Sequence, residues 1–148
     1  MKTANHVVTL LALISLAVAT TLSAAEKKVG GPKGGRLLEN EAPRTEFFVE
    51  KNRTVTITFY DKDLKAVPPG ERVVTAIAEA KEGKEKLEFE KKGDSLVSKT
   101  PLPEGDGYTV VVQLKAKPDA KTQNFRIKYD TSTCEKCKRA EYACICDE

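Results

Sequence analysis

The chain has no tryptophan, one methionine, one histidine and four cysteines in its 148 residues. The methionine is Met1 and the histidine is His6. Both lie in "MKTANHVVTLLALISLAVATTLSAAEKK", which has one early Lys, an apolar run over residues 7–18, and small residues at Ser23, Ala24 and Ala25. A short basic start, an apolar run too short to span a bilayer and small residues ahead of charge make a secretory signal peptide. Ser23 and Ala25 fit the small-residue cleavage pattern, so residues 1–25 are expected to be removed, leaving a mature chain that starts at Glu26. An uncleaved anchor is the alternative, weakened by Thr9, Ser15, Thr20, Thr21 and Ser23. No Cys lies directly after the apolar run, so a lipoprotein anchor is not expected, and no second apolar run exists. The expected location is periplasmic or secreted, with no membrane association after cleavage.

Removing residues 1–25 takes away every imidazole and every thioether. Ser-His and Cys-His nucleophile pairs are then excluded, as are His-based zinc and blue-copper sites. No paired-carboxylate, nucleophile or phosphate motif stands out from a surface rich in Glu and Asp, so the chain reads as a non-enzyme. Cleavage leaves 123 residues, enough for one domain with a real core. It also removes Lys2, lowering the formal charge by one from +3. Charges of both signs are interspersed, which argues against a nucleic-acid groove or a basic membrane patch.

Residues 26–36, "EKKVGGPKGGR", contain four Gly and one Pro. No strand precedes them and no Gly-Lys-Ser/Thr closes them, so they are neither a P-loop nor a dinucleotide fingerprint. They read as a flexible lead-in. Beyond it the hydrophobic period is two. "TEFFVE" (45–50) aligns Phe47 with Val49, and "TVTITFY" (54–60) aligns Val55, Ile57 and Phe59 against Thr54, Thr56 and Thr58. "KNR" joins them as a hairpin. "RVVTAIAEA" (72–80) opposes Val73, Thr75 and Ile77 to Val74, Ala76 and Ala78, with a helix possible in its Ala-rich half. "KLEFE", "SLVSKT", "YTVVVQLKA" and "QNFRIKYD" continue the alternation.

About seven short strands at roughly 8–12-residue spacing predict an all-β fold, an antiparallel immunoglobulin-like β-sandwich over residues 37–130. A small barrel is the alternative. Without a Trp or a core Cys, the sandwich would lack the antibody-type centre. The expected core is Phe47, Val49, Val55, Ile57, Phe59, Ile77, Leu87, Phe89, Val110, Val112, Leu114, Phe125 and Ile127, complete without residues 131–148. "NRT" (52–54) is a glycosylation sequon on the first hairpin.

All the cysteines fall in the last fifteen residues, "CEKCKRAEYACICDE": Cys134, Cys137, Cys144 and Cys146. Two fates compete. In an oxidising compartment an even number of cysteines defaults to disulfides, and crossed pairing of Cys134 with Cys146 and Cys137 with Cys144 would staple a small hairpin. Such bridges would not tie the tail to the rest of the chain. As metal ligands, Cys-x-x-Cys places two thiolates at one turn, "KRAEYA" reverses the chain, and Cys-x-Cys returns two more. Four sulfurs can close a tetrahedral zinc site or hold Cu(I) in lower coordination. Lys136, Lys138 and Arg139 would offset thiolate charge. Thiol–disulfide exchange at Cys134 and Cys137 is a third possibility, but it needs a helix N-terminus in a βαβ setting, which this pattern lacks.

The segments "GPKGGRLLE" (31–39), "EFFVE" and "VPPGERV" resemble the small N-terminal β-domain of periplasmic adaptor subunits in bacterial heavy-metal efflux pumps. Gly34, Gly35, Arg36, Leu37 and Leu38 carry most of the resemblance. Lys33 stands where that family often has His, so no metal role carries over to that position. The chain is too short for the adaptor's helical hairpin and lipoyl domains. The resemblance implies a free-standing version of one domain, an envelope protein linked to metal handling, with an efflux-system or other envelope protein as partner. Two function classes follow: a soft-metal binder using the four Cys, or an interaction module whose tail is disulfide-stapled.

Overall fold

The computed structural model describes residues 29–39 and 43–146; the signal peptide expected over residues 1–25 lies outside them. Nine strands are formed: β1 Arg36–Leu37, β2 Arg44–Val49, β3 Val55–Tyr60, β4 Ala66–Val67, β5 Val73–Ala80, β6 Gly83–Lys92, β7 Ser95–Ser98, β8 Tyr108–Lys115 and β9 Gln123–Tyr129. One 3-10 turn, Glu141–Ala143, follows among the described residues. There is no α-helix among the described residues, and so none long and apolar enough to cross a membrane. The Ala-rich half of residues 72–80 is strand.

The all-β antiparallel class holds, but the expected two layers are joined. The strands run in the order β1-β2-β3-β7-β6-β5-β8-β9, with β4 attached to β3. The joint is β6, ten residues long. Its first part pairs with β5 and its last four residues, from Phe89, pair with β7. One strand thus serves both halves, and a twisted sheet of this width curls on itself. The result is a half-barrel whose two free edges are β1 and β9.

The interior follows the alternation read from sequence at most positions. Phe47, Val55, Ile57, Phe59, Leu87, Val110, Val112, Leu114 and Ile127 are buried, and Val49, Phe89 and Phe125 pack partly against them. Ile77 departs from expectation. Val74, Ala76 and Ala78 face inward, in register with Leu114, Val112 and Val110. Ile77 sits on the outer face, between Lys86 and Val111. On the inner face Ala76 lies between Leu87 and Val112, so small and large side chains alternate across the three strands. Outside, long Lys stems shield the β-branched residues.

Two other expectations change. Residues 31–35, read as flexible, form a hydrogen-bonded turn: Gly34 N–H donates to Gly31 O at 3.0 Å and Gly31 N–H to Gly35 O at 2.9 Å. The core is also not confined to residues before 131. Tyr142 and Ala143 are buried in it, at 6% and 1% exposure. The Tyr142 ring meets Phe47 edge-on at 5.9 Å and Tyr129 at 5.8 Å. The tail therefore belongs to the domain.

The register makes a direct test. Ile57→Ala should cost about 2–5 kcal/mol through lost burial and a residual cavity, while Ile77→Ala should cost about 1 kcal/mol or less. Urea denaturation of the two variants measures the difference. Equal losses would contradict the inward face assigned to β5.

Candidate metal centre

The site begins where β9 ends. Asp130 Oδ1 accepts from the Ser132 N–H at 3.0 Å and the Ser132 hydroxyl at 2.6 Å. Asp106 Oδ2 accepts from the Thr131 N–H and hydroxyl at 2.9 and 2.7 Å. These two carboxylates turn the chain away from the sheet. Thr133 then bridges Ala140, closing a six-residue loop around the Cys-x-x-Cys. Within it Cys134 N–H donates to Arg139 O at 2.8 Å and Lys138 N–H to Cys134 O at 2.9 Å. Lys138 has φ +60°, a left-handed conformation that lets so short a loop reverse. The 3-10 turn carries the chain across the open mouth of the half-barrel and brings Cys144 and Cys146 back to the first pair.

All four Sγ atoms lie within 4.8 Å of one another. Cys134 is buried and the other three are half-buried. The separations are 3.9 Å for Cys134 to Cys146, 3.8 Å for Cys137 to Cys144 and 3.3 Å for Cys134 to Cys144. None is a bonding distance; all four are free thiols. A tetrahedron with Zn–S bonds of about 2.3 Å has sulfur–sulfur edges of about 3.8 Å. Two of the separations match that edge, and adjustments of up to about 1 Å would bring the rest to it. The sequence's four candidate ligands are thus brought together as one group.

The thiols are electrostatically unequal. The N–H groups of Ile145 and Arg139 point at the Cys137 sulfur and lower its pKa to about 6. The Cys146 N–H acts on Cys144 in the same sense. There the neighbouring Cys134 sulfur, burial and the Cys137 sulfur outweigh it, and the net displacement is upward. Burial, together with the other three sulfurs, pushes Cys146 up to about 12. One thiolate forms readily and resists the next, the state a divalent soft cation relieves. A cavity of about 190 Å³ beside Cys144 and Cys146 is lined by Arg36 and Lys128 together with Asp130 and Glu141, so its cations and carboxylates balance.

Residues beyond the cysteines hold this cluster in place, and of them the sequence singled out only Arg139, as a charge offset to the thiolates. Arg139, inside the Cys loop, reaches the N-terminal turn: its Nη1 donates to Gly31 O and Gly35 O, each at 3.3 Å. That turn is wrapped around Glu46, whose carboxylate is fully buried. Glu46 accepts from Lys33 N–H at 3.0 Å, Gly35 N–H at 2.8 Å and the Tyr60 hydroxyl at 2.6 Å. A Cβ on Gly31 would sit 2.1 Å from the Glu46 carboxyl carbon, and one on Gly35 would sit 2.3 Å from Phe47 O. Burial and the adjoining Glu46 carboxylate raise the Tyr60 pKa, so Tyr60 stays a donor. On the other side of the turn, Tyr142 Oη accepts from Val49 N–H at 3.1 Å.

A scan against protein-family models found no match, nor did comparison with the curated proteins or with the solved structures. What the site can do rests on its own geometry.

In reduced, metal-free protein, iodoacetamide should modify Cys137 first. Its rate should fall as the pH drops through about 6, where the thiolate takes up a proton. Cys146 should lag at every pH below 9 or so, since its thiol holds its proton up to about 12. Peptide mapping of partly alkylated protein checks both. A first adduct on Cys146, or an inflection at the roughly 8.5 of an ordinary thiol, would contradict the electrostatics described.

Proposed function

We propose that this chain is a non-enzymatic protein of the cell envelope, periplasmic or secreted, that binds one soft metal ion through Cys134, Cys137, Cys144 and Cys146. The observation that carries the reading is the gathering of all four sulfurs within 4.8 Å. A four-thiolate donor set takes Zn(II) or Cu(I) and discriminates against hard cations. A zinc site made of four cysteine thiolates is closed, with no position left for a bound water. It suits holding or handing over an ion rather than activating a substrate.

The resemblance to the efflux-adaptor domain supports a role in metal handling. The residues that carry it act together: Gly31 and Gly35 shape the turn that holds Glu46 of "EFFVE", and Leu37 pairs with Glu46 across β1 and β2. In this chain they form one folding unit next to the thiol cluster. The partner in this reading is another envelope or efflux-system protein.

A second reading has its own observation. Cys134 faces Cys146 and Cys137 faces Cys144 at 3.9 and 3.8 Å, the two pairs that a crossed staple would join. Oxidised, the tail would be a disulfide-bonded closure on an interaction module.

Native mass spectrometry of protein isolated under argon separates the two. The metal reading expects one zinc or copper ion per chain, and four alkylated cysteines after chelation without reductant. It is wrong if all four resist alkylation until reduced and the reduced protein takes up neither Zn(II) nor Cu(I).

A further inference from the structure

The half-barrel has two free edges, and the tail touches both. Next to β9, Tyr142 N–H donates to Asp130 O, one residue past the strand, at 2.9 Å, and Glu141 N–H donates to Ser132 O, within the tail, at 2.8 Å. At the other edge, Tyr142 Oη takes the Val49 N–H of β2, and Arg139 holds the Gly31 and Gly35 carbonyls next to β1. Every one of these contacts comes from residues 139–142. That segment is bounded by Cys134 and Cys137 on one side and Cys144 and Cys146 on the other. The two ends of the strap are therefore the two halves of the sulfur cluster.

We infer that the thiolate site is a metal-operated latch: the ion ties the ends of residues 138–143 together and so seats Arg139 and Tyr142 across the sheet edges. The inference rests on the metal reading above and adds to it a coupled structural change. Three 3-10 residues have no helical stability of their own. Without the ion, the strap is held by Tyr142 burial, a few hydrogen bonds and Arg139. Joining its ends removes conformational freedom from the open state. Linkage then runs both ways. Metal binding protects the strap's contacts, and weakening those contacts lowers metal affinity by the same factor, although the Arg139 guanidinium and Tyr142 hydroxyl bond to backbone atoms far along the chain.

The fold positions the readouts. The Val49 N–H reports the β2 edge and the Tyr142 N–H reports the β9 edge. The pairing of β5 with β8, in the middle of the sheet, is an internal reference that the latch leaves alone. Arg139→Gln removes the charge that spans the glycine carbonyls. Tyr142→Phe keeps the ring between Phe47 and Tyr129 and deletes only the acceptor for Val49.

The experiment is amide hydrogen exchange on the full reduced chain with and without Zn(II), paired with zinc affinity by chelator competition. Zinc should slow exchange at Val49 and Tyr142 by roughly ten-fold or more while β5 and β8 amides stay unchanged, as expected for a local opening. Arg139→Gln and Tyr142→Phe should each weaken zinc binding by roughly three-fold or more, by reciprocity, with β5 and β8 protection intact. If either variant loses that central protection, the other carries the comparison. Zinc that binds wild-type protein but leaves Val49 and Tyr142 exchange at metal-free rates overturns the latch and leaves the metal site standing. Unchanged zinc affinity in a folded variant overturns it too. Failure of zinc or Cu(I) to bind at all overturns the metal reading and the latch together.

Discussion

A carboxylate buried away from water has to be hydrogen-bonded or it does not stay there as a charge. Glu46 is fully buried on β2, and the chain answers with two backbone N–H groups and a tyrosine hydroxyl. Those N–H groups come from a turn that only glycine permits at Gly31 and Gly35, where any Cβ would overlap Glu46 or the β2 backbone. Once the turn is closed, the Gly31 and Gly35 carbonyls, each already accepting an N–H within it, lie side by side. Arg139 binds that pair, and Arg139 lies in the Cys-x-x-Cys loop. A buried acid near the N-terminus thus sets the position of a sulfur cluster near the C-terminus.

Closure of the sheet is the second constraint. A curled sheet that stops short of a barrel leaves backbone groups and aromatic faces exposed at its edges. Here the tail fills the gap. Tyr142 is an apolar ring between Phe47 and Tyr129 and, through its hydroxyl, a polar partner for Val49, so one side chain meets both needs of the edge. The sulfurs sit at the outer surface of this plug, with Cys134 inward and the other three half-buried. An ion can reach them without passing through the core.

Much of this was legible in sequence. Alternation in "TVTITFY" and "YTVVVQLKA" located β3 and β8 because one face is buried and the period of a strand is two. The four cysteines stood out in sequence as one group at short spacing, with metal binding and disulfides as its two uses, and the fold brings their sulfurs within 4.8 Å. The face of β5 was not legible. "VVTAIAEA" alternates equally well either way, and large Ile77 looked the better core residue. What decides it is the space left on the inner face of the curled sheet, where Ala76 and Ala78 are fully buried. Joining of the expected layers through β6 was hidden for a similar reason: nothing local says that a long strand changes partner at Phe89. The glycines of residues 31–35 carried the right signal, a need for close approach, but the residue they approach is Glu46 on β2. Tyr142 stood in a segment read only as a reversal, and its burial follows from the gap between β1 and β9, a property of the closed fold.

The central claim is that four sulfurs of one chain share one ion. X-ray absorption at the zinc edge, on reduced protein loaded with one equivalent of Zn(II), reads this most directly. A shared ion predicts a first shell of four sulfurs at about 2.3 Å, falling to three with a nitrogen or oxygen neighbour when Cys144 is replaced by Ser. A first shell of nitrogen and oxygen in the unaltered protein would contradict it.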